Sequence, residues 1–229
     1  LLTHPSNLTG QLLPAARVAA AAHRAGALVV VDGAQSLGLL DDPVRSLDCD
    51  FYGASAHKWL GLPVGLGALW MRPAHVRTVW PLLPPAPGTE GMSRFEWIGT
   101  APEYVNLAAL PALALHRTLG PARKAARLRA LHTRLRARLA RALPAARFYS
   151  AAAPAMSLGL TTVELPGVDA KALQRRLRRR HRILVQAMSG NARAPGIRGI
   201  RVSPNVYTTP AELDRFVAAL AAEVGTLRR

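Results

Sequence analysis

A single cysteine, Cys49, is all the thiol chemistry that 229 residues carry, which excludes an intramolecular disulfide and any multi-cysteine zinc site. Aromatic residues make up only 5% of the chain, too few, and not interleaved with arginine, for the stacking platform that single-stranded nucleic acid needs. No apolar run approaches the roughly 18 to 20 uncharged residues of a membrane span, and no signal-peptide pattern is recognisable. Together these absences fit a soluble protein of a reducing cytoplasm. Acidic residues are scarce as well: 13 Asp and Glu face 30 Lys and Arg, for a formal charge of +17. A clustered basic face would bind a phosphate backbone by releasing counterions. Here, however, only Lys58, Lys124 and Lys171 are lysines; the rest is arginine amid abundant alanine, as GC-rich coding produces. The arginines concentrate in two helical stretches, Arg117 to Arg147 and Arg175 to Arg182, where solvated helix faces are the simpler reading.

Half of the residues are hydrophobic, and a chain of this length can bury the core of one large domain or two small ones. Ala15 to Ala25 reads as a helix entered after Pro14 and ended at Gly26. The run Leu28-Val29-Val30-Val31 predicts a strand covered on both faces, as in a parallel sheet sandwiched by helices, with Asp32 at its C-terminal end, the edge where open α/β sheets bind ligands. Further strands are expected at Phe51 to Ala54 and Leu66 to Met71. Pro81 to Gly88 reads as a loop. Two consecutive helices are expected from Val105 to Leu143, broken near Gly120-Pro121. Beyond Phe148 a small α+β unit follows: strand Leu158 to Leu165, helix Ala170 to Arg180, strands Ile183 to Gln186 and Ile200 to Ser203, helix Pro210 to Val224. The expected division is 1–104, 105–146 for connecting helices, and 147–229.

The chemistry concentrates in Val31-Asp32-Gly33-Ala34-Gln35 and, some twenty residues on, Asp50-Phe51-Tyr52-Gly53-Ala54-Ser55-Ala56-His57-Lys58. A strand-end carboxylate, an amide donor, a hydroxyl and ring nitrogen beside a turn, and a lysine are what pyridoxal 5′-phosphate (PLP) requires. Asp32 would keep the pyridine nitrogen protonated, so that the ring can accept electrons from a carbanion at the substrate Cα. Gln35 would donate to the phenolate oxygen, Ser55 and His57 would face the phosphate, and Lys58 would form the Schiff base and then move the Cα proton. Each residue taken singly has a structural explanation, Asp32 as a turn cap, His57 as a satisfied surface or core ring and Lys58 as a solvated surface side chain; their joint order is what points to a site.

The segment Cys49 to Leu69 resembles the PLP-attachment signature of the class V aminotransferase family: an Asp followed by hydrophobic residues, a small-small-His-Lys core, and Gly-x-Gly after the lysine. Ser6-Asn7-Leu8-Thr9-Gly10 resembles the family's Ser-Asn-x-x-Gly turn, which implies that Asn7 lies near cofactor and substrate. Phe95-Glu96-Trp97-Ile98-Gly99-Thr100 is similar to the segment whose Thr reaches the phosphate of the neighbouring subunit, implying a homodimer with Thr100 in that role. Ile200-Arg201-Val202-Ser203-Pro204-Asn205 resembles the segment with the arginine that clamps the substrate carboxylate, implying Arg201.

The resemblance implies part of a fold type I large domain with a mostly parallel sheet, followed by a small α+β domain, acting on an amino-acid-like substrate. Its desulfurase members carry a cysteine on a small-domain loop, whereas residues 187–196 here contain none, and Cys49 reads as a small core residue. Trp59, Gln35 and the Phe95 to Thr100 segment look most like the isopenicillin N epimerase-like branch, leaving epimerase, aminotransferase or lyase chemistry open. The family's first half, which supplies the loop around the phosphate and a ring stacked on the pyridine, has no counterpart in the chain. With the opening Leu1-Leu2-Thr3-His4 lacking a methionine, a fragment, an inactive remnant or binding protein retaining the fold, and a site completed by a separate polypeptide all remain expectations.

Overall fold

A computed structural model describes residues 1–41, 43–96, 99–100, 102–190 and 194–228. The chain forms two compact units: residues 1–4 with 14–121, and residues 5–13 with 122–229.

The first unit is built on a four-stranded sheet. In chain order it contains β1 (Leu2–Thr3), α1 (Ala15–Arg24), β2 (Val30–Asp32), α2 (Pro43–Leu47), β3 (Phe51–Ser55), β4 (Gly67–Met71), α3 (Glu103–Leu107) and α4 (Ala109–Leu119). The strands lie in the order β1-β2-β3-β4; β1, β2 and β3 are parallel, and β4 returns antiparallel to β3. The sheet is therefore mostly parallel, as expected. One face packs on α1 and α2: Ala15 and Ala19 meet Val29, Val31, Leu47, Cys49 and Tyr52, with Leu2, Ala54 and Trp70 alongside. Cys49 is thus a core residue, its thiol pushed up by burial.

The opposite face departs from the expectation of a strand covered on both sides. Val29 and Val31 are buried, whereas Leu28 is 57% and Val30 39% exposed. Hydrophobic identity permits burial but does not supply a covering layer, and among the described residues the buried cluster on this sheet is formed with α1 and α2. Helix α4 is likewise apolar without a buried residue.

In the second unit, α5 (Pro121–Ala142), β5 (Arg147–Phe148), β6 (Thr161–Glu164), α6 (Ala170–His181), β7 (Gln186–Ser189), β8 (Arg198–Val202) and α7 (Pro210–Leu227) follow in turn. Their sheet is fully antiparallel in the order β5-β6-β8-β7. Leu131, Leu135 and Leu139 recur along α5 at helical spacing and pack with Leu173, Leu177, Ile200, Phe216 and Leu220 in one core. Helix α7 starts at a capping box: the Thr209 hydroxyl accepts from the Glu212 N–H, and Glu212 accepts from the Thr209 N–H. Residues 5–13 are held in this unit by hydrogen bonds from Leu12 N to Met156 O and from Thr162 Oγ1 to Leu8 O.

The basic helices are partly neutralised within the unit. Arg134 and Arg138 both reach Asp214 on α7, at 2.6 and 3.2 Å, and buried Glu223 pairs with Arg176 and His181 of α6. Such pairs tie helices together and reduce the free positive charge available to a phosphate backbone.

His132 on α5 is 2% exposed, and its Nε2 has no partner among the described residues. Burial, reinforced by the charges of Arg136 and Arg129, pushes its pKa down to about 4. The native ring therefore stays neutral where the unfolded chain, near the ordinary 6.5, already takes a proton. The corresponding stability is complete above pH 6.5 and is lost as pH falls towards 4, by about 3 kcal/mol. Urea unfolding of wild type and His132→Leu at pH 7.5 and pH 4 should show a smaller acid loss in the variant; equal losses would contradict this account.

Candidate cofactor site

The strand register brings two of the predicted residues of the first unit, Asp32 and Ser55, to one sheet edge. Thr3 pairs with Asp32, and Asp32 with Gly53; Gly53 faces Leu69 and Ser55 faces Gly67 across β4. Because strand side chains alternate, Val30, Asp32, Phe51, Gly53, Ser55 and Leu69 share the face opposite the packed core. That face forms an open depression of about 360 Å³, in whose wall Asp32, Ala34 and Ser55 lie among Val30, Phe51 and Leu69. It sits where β2 and β3 end, as expected for a ligand site in an α/β sheet.

Asp32 is exposed on this face. Its Oδ1 accepts from Ala34 N at 3.0 Å and its carbonyl accepts from His4 N at 2.9 Å, so backbone contacts hold the carboxylate at the strand end. The following turn is pinned from behind: the Ser36 N–H donates to Gly33 O at 2.8 Å, and the Ser36 and Tyr52 hydroxyls meet at 2.7 Å. Burial pushes the Tyr52 phenol up to about 12, so it stays a neutral donor. Gln35 is 9% exposed. Ser55 ends β3, and the Ala56–Leu60 turn carries His57 and Lys58, both half-buried. His57 Nδ1 is buried without a partner among the described residues, which leaves a ring nitrogen available to a ligand such as a phosphate oxygen.

The second unit gathers two more predicted residues. Arg201 on β8 donates from Nη1 to the Asn7 carbonyl at 2.8 Å, and its Nε is buried with no partner among the described residues. Burial lowers the guanidinium pKa from its ordinary value. With Nη1 occupied, the Nε side is the edge left for a planar carboxylate. Thr100 is exposed in the described pair 99–100, whereas Trp97 and Ile98 of the same motif fall outside the described residues, as do residues 191–193 of the 187–196 loop.

Three contributors were not singled out from sequence for these roles. Trp59 donates to Gln35, Tyr52 with Ser36 braces the Asp32 turn, and His4 holds the Asp32 carbonyl. Their partners lie 16 to 28 residues away in sequence, and no local pattern announces such pairs.

The fold is a mostly parallel α/β scaffold of the PLP-dependent fold type I kind, followed by an α+β unit. The chain belongs to the aminotransferase class-V family, which it matches over residues 1–216. It is 34% identical to isopenicillin N epimerase of Streptomyces clavuligerus over 97% of its own length and 59% of that protein's. Among solved structures, the apo cysteine desulfurase of Thermococcus onnurineus NA1 is similar with a TM-score of 0.86 and 26% identity, covering 98% of this chain and 60% of that one. A C-DES variant with glycine covalently linked to its PLP cofactor is similar with a TM-score of 0.80 and 26% identity, over 96% and 60% of the two chains. The chain thus spans about three fifths of the length of these relatives, and PLP is the cofactor that family membership and the last neighbour indicate.

Proposed function

We propose that this chain is the cofactor-anchoring and substrate-clamping part of a PLP-dependent enzyme that acts at the Cα of an amino acid or derivative through a Schiff base on Lys58. The carrying observation is Asp32, exposed at the end of β2 in the same open depression as Ser55, with Lys58 in the turn that follows β3. Bound PLP would supply an electron sink for charge at Cα. Asp32 would hold the proton on the pyridine nitrogen, Gln35 would donate to the phenolate oxygen, and Ser55 and His57 would bind the phosphate. Lys58, once released by substrate, would move the Cα proton. Arg201 would hold the substrate carboxylate through its Nε side, with Asn7 fixing its other arm.

Similarity to isopenicillin N epimerase along nearly the whole chain favours chemistry confined to Cα, with epimerisation first and transamination or elimination next. Desulfuration through a protein persulfide is disfavoured, because Cys49 is the sole cysteine and is fully buried. A cytoplasmic homodimer in which Thr100 completes the partner's site accords with the family resemblance. Tyr104, Leu107, Leu110 and Leu115 of α3 and α4 are each more than half exposed, and apolar surface of this extent is normally covered by another polypeptide. No described helix is long and apolar enough to cross a membrane.

The full-length protein mixed with PLP should develop a near-visible absorption band, and borohydride reduction should fix the cofactor on a peptide containing Lys58. Lys124 and Lys171 are the alternatives that this chain itself offers, and peptide mapping separates them from Lys58. An adduct on either of those, or none, would overturn the proposal in favour of an inactive remnant or binding protein. The reduced species should sediment as a dimer; a monomer would remove Thr100 from the partner's site.

A further inference from the structure

Trp59 immediately follows the proposed Schiff-base lysine, yet its side chain reaches back to the Asp32 turn. Its indole Nε1 lies 2.8 Å from Gln35 Oε1, and the two residues are 6% and 9% exposed. An indole N–H can only donate, and of the two ends of a primary amide only the oxygen can accept. The contact therefore fixes the polarity of the Gln35 amide. Its oxygen is committed to Trp59, and its NH2 is turned the other way, where Nε2 has no partner among the described residues. The backbone beneath is held independently by the Ser36, Gly33 and Tyr52 hydrogen bonds. The turn thus places Gln35, while Trp59 selects which end of its amide is left free of the indole.

We infer that Trp59 is a positioning residue that presents the NH2 of Gln35, and not its carbonyl, to the phenolate oxygen of the cofactor. The inference rests on the proposed function for the presence of that oxygen. Without the indole donor the amide can rotate by half a turn, and a carbonyl oxygen would then face an anionic oxygen. That arrangement is repulsive and removes the one donor that Gln35 contributes.

Two arms test it, one of them free of cofactor. In the ¹⁵N-labelled chain, the Trp59 indole proton, assigned by its disappearance in Trp59→Phe, should exchange with solvent about 50-fold or more slowly than that of Trp80, which is 90% exposed. It should move upfield in Gln35→Leu, which removes the acceptor, and downfield in Gln35→Glu, which strengthens it. A resonance that neither Gln35 variant moves overturns the inference. In the full-length protein with PLP bound, Trp59→Phe keeps the ring and deletes the donor. The pH midpoint of the near-visible band should rise by about one unit, with PLP held about tenfold more weakly; an unchanged midpoint overturns the inference, because a purely structural Trp59 would leave it in place. Failure of the wild-type protein to bind PLP at all sinks the proposed function instead, and the indole arm then decides alone whether Trp59 orients Gln35.

Discussion

Asp50→Ala is expected to cost about 3–5 kcal/mol of folding stability at pH 7, the range for breaking a buried charge network by removing one partner. Asp50 is 3% exposed, and its carboxylate accepts from Val29 N at 2.7 Å, His23 Nε2 at 2.8 Å, Arg72 Nε at 3.1 Å and His75 Nε2 at 3.2 Å. Four donors from α1, the start of β2 and the segment after β4 converge on one side chain. Deletion strands the buried Val29 N–H and removes the shared acceptor of Arg72, His23 and His75, while Arg72 keeps Asp48 Oδ1 at 2.8 Å. Burial alone would raise the carboxyl's pKa, but the Val29 N–H and the two histidines outweigh it and hold the carboxyl well below the usual carboxylate range. Since the folded pKa is depressed, the stabilisation is present above the ordinary carboxylate pKa near 4 and is lost as pH falls through the lower folded value. Asp50→Asn keeps an acceptor for Val29 N and should lose less than alanine does. Urea unfolding measures both; a loss below about 1 kcal/mol for alanine would show that the cluster is a surface-type network of little worth.

Gly10→Ala should lower the thermal midpoint by roughly 4–20 °C, from a cost of about 2–5 kcal/mol at 2–4 °C per kcal/mol for a chain of this size. Gly10 has φ +77°, and an added Cβ would stand 1.8 Å from the Leu160 carbonyl oxygen. The left-handed conformation itself costs a non-glycine residue about 1–2 kcal/mol, and overpacking against backbone adds about 1–3 kcal/mol. Leu160 cannot retreat cheaply, because it leads directly into β6. Gly167→Ala separates the two contributions: it has the same φ of +77° with nothing within 4 Å of its Cβ, so it should show the backbone cost alone. Equal effects at the two positions would refute the steric part. Gly10 also closes the turn that carries Asn7, through its N–H to Ser6 O at 2.8 Å, so Gly10→Ala should loosen the Arg201 contact as well.

The helices were the most legible parts of the fold, because their signals are local. Pro14 and Gly26 bracket α1, Gly120-Pro121 separates α4 from α5, and Pro210 opens α7. Strands were less so. The run read as a strand at Ile183 to Gln186 instead closes α6, with Ile183 N donating to Leu177 O, and β7 begins at Gln186. β1 and β5 are two residues long; they exist only because a neighbouring strand offers a ladder, and no pattern of two residues could announce them.

The order Asp32, Gln35, Ser55, His57, Lys58 and Arg201 was determined by the sequence alone, and with it the family and the kind of chemistry to look for. That information is carried by residue type and short-range spacing. Tertiary structure decided the rest: that Asp32 and Ser55 share the open face of the sheet, that Asp50 gathers His23, Arg72 and His75, and that the Gln35 amide points its NH2 away from Trp59. Each of these depends on strand register or on a contact across more than fifteen residues. Such pairings are selected by packing and hydrogen-bond satisfaction over the whole unit, and no stretch of chain encodes them by itself.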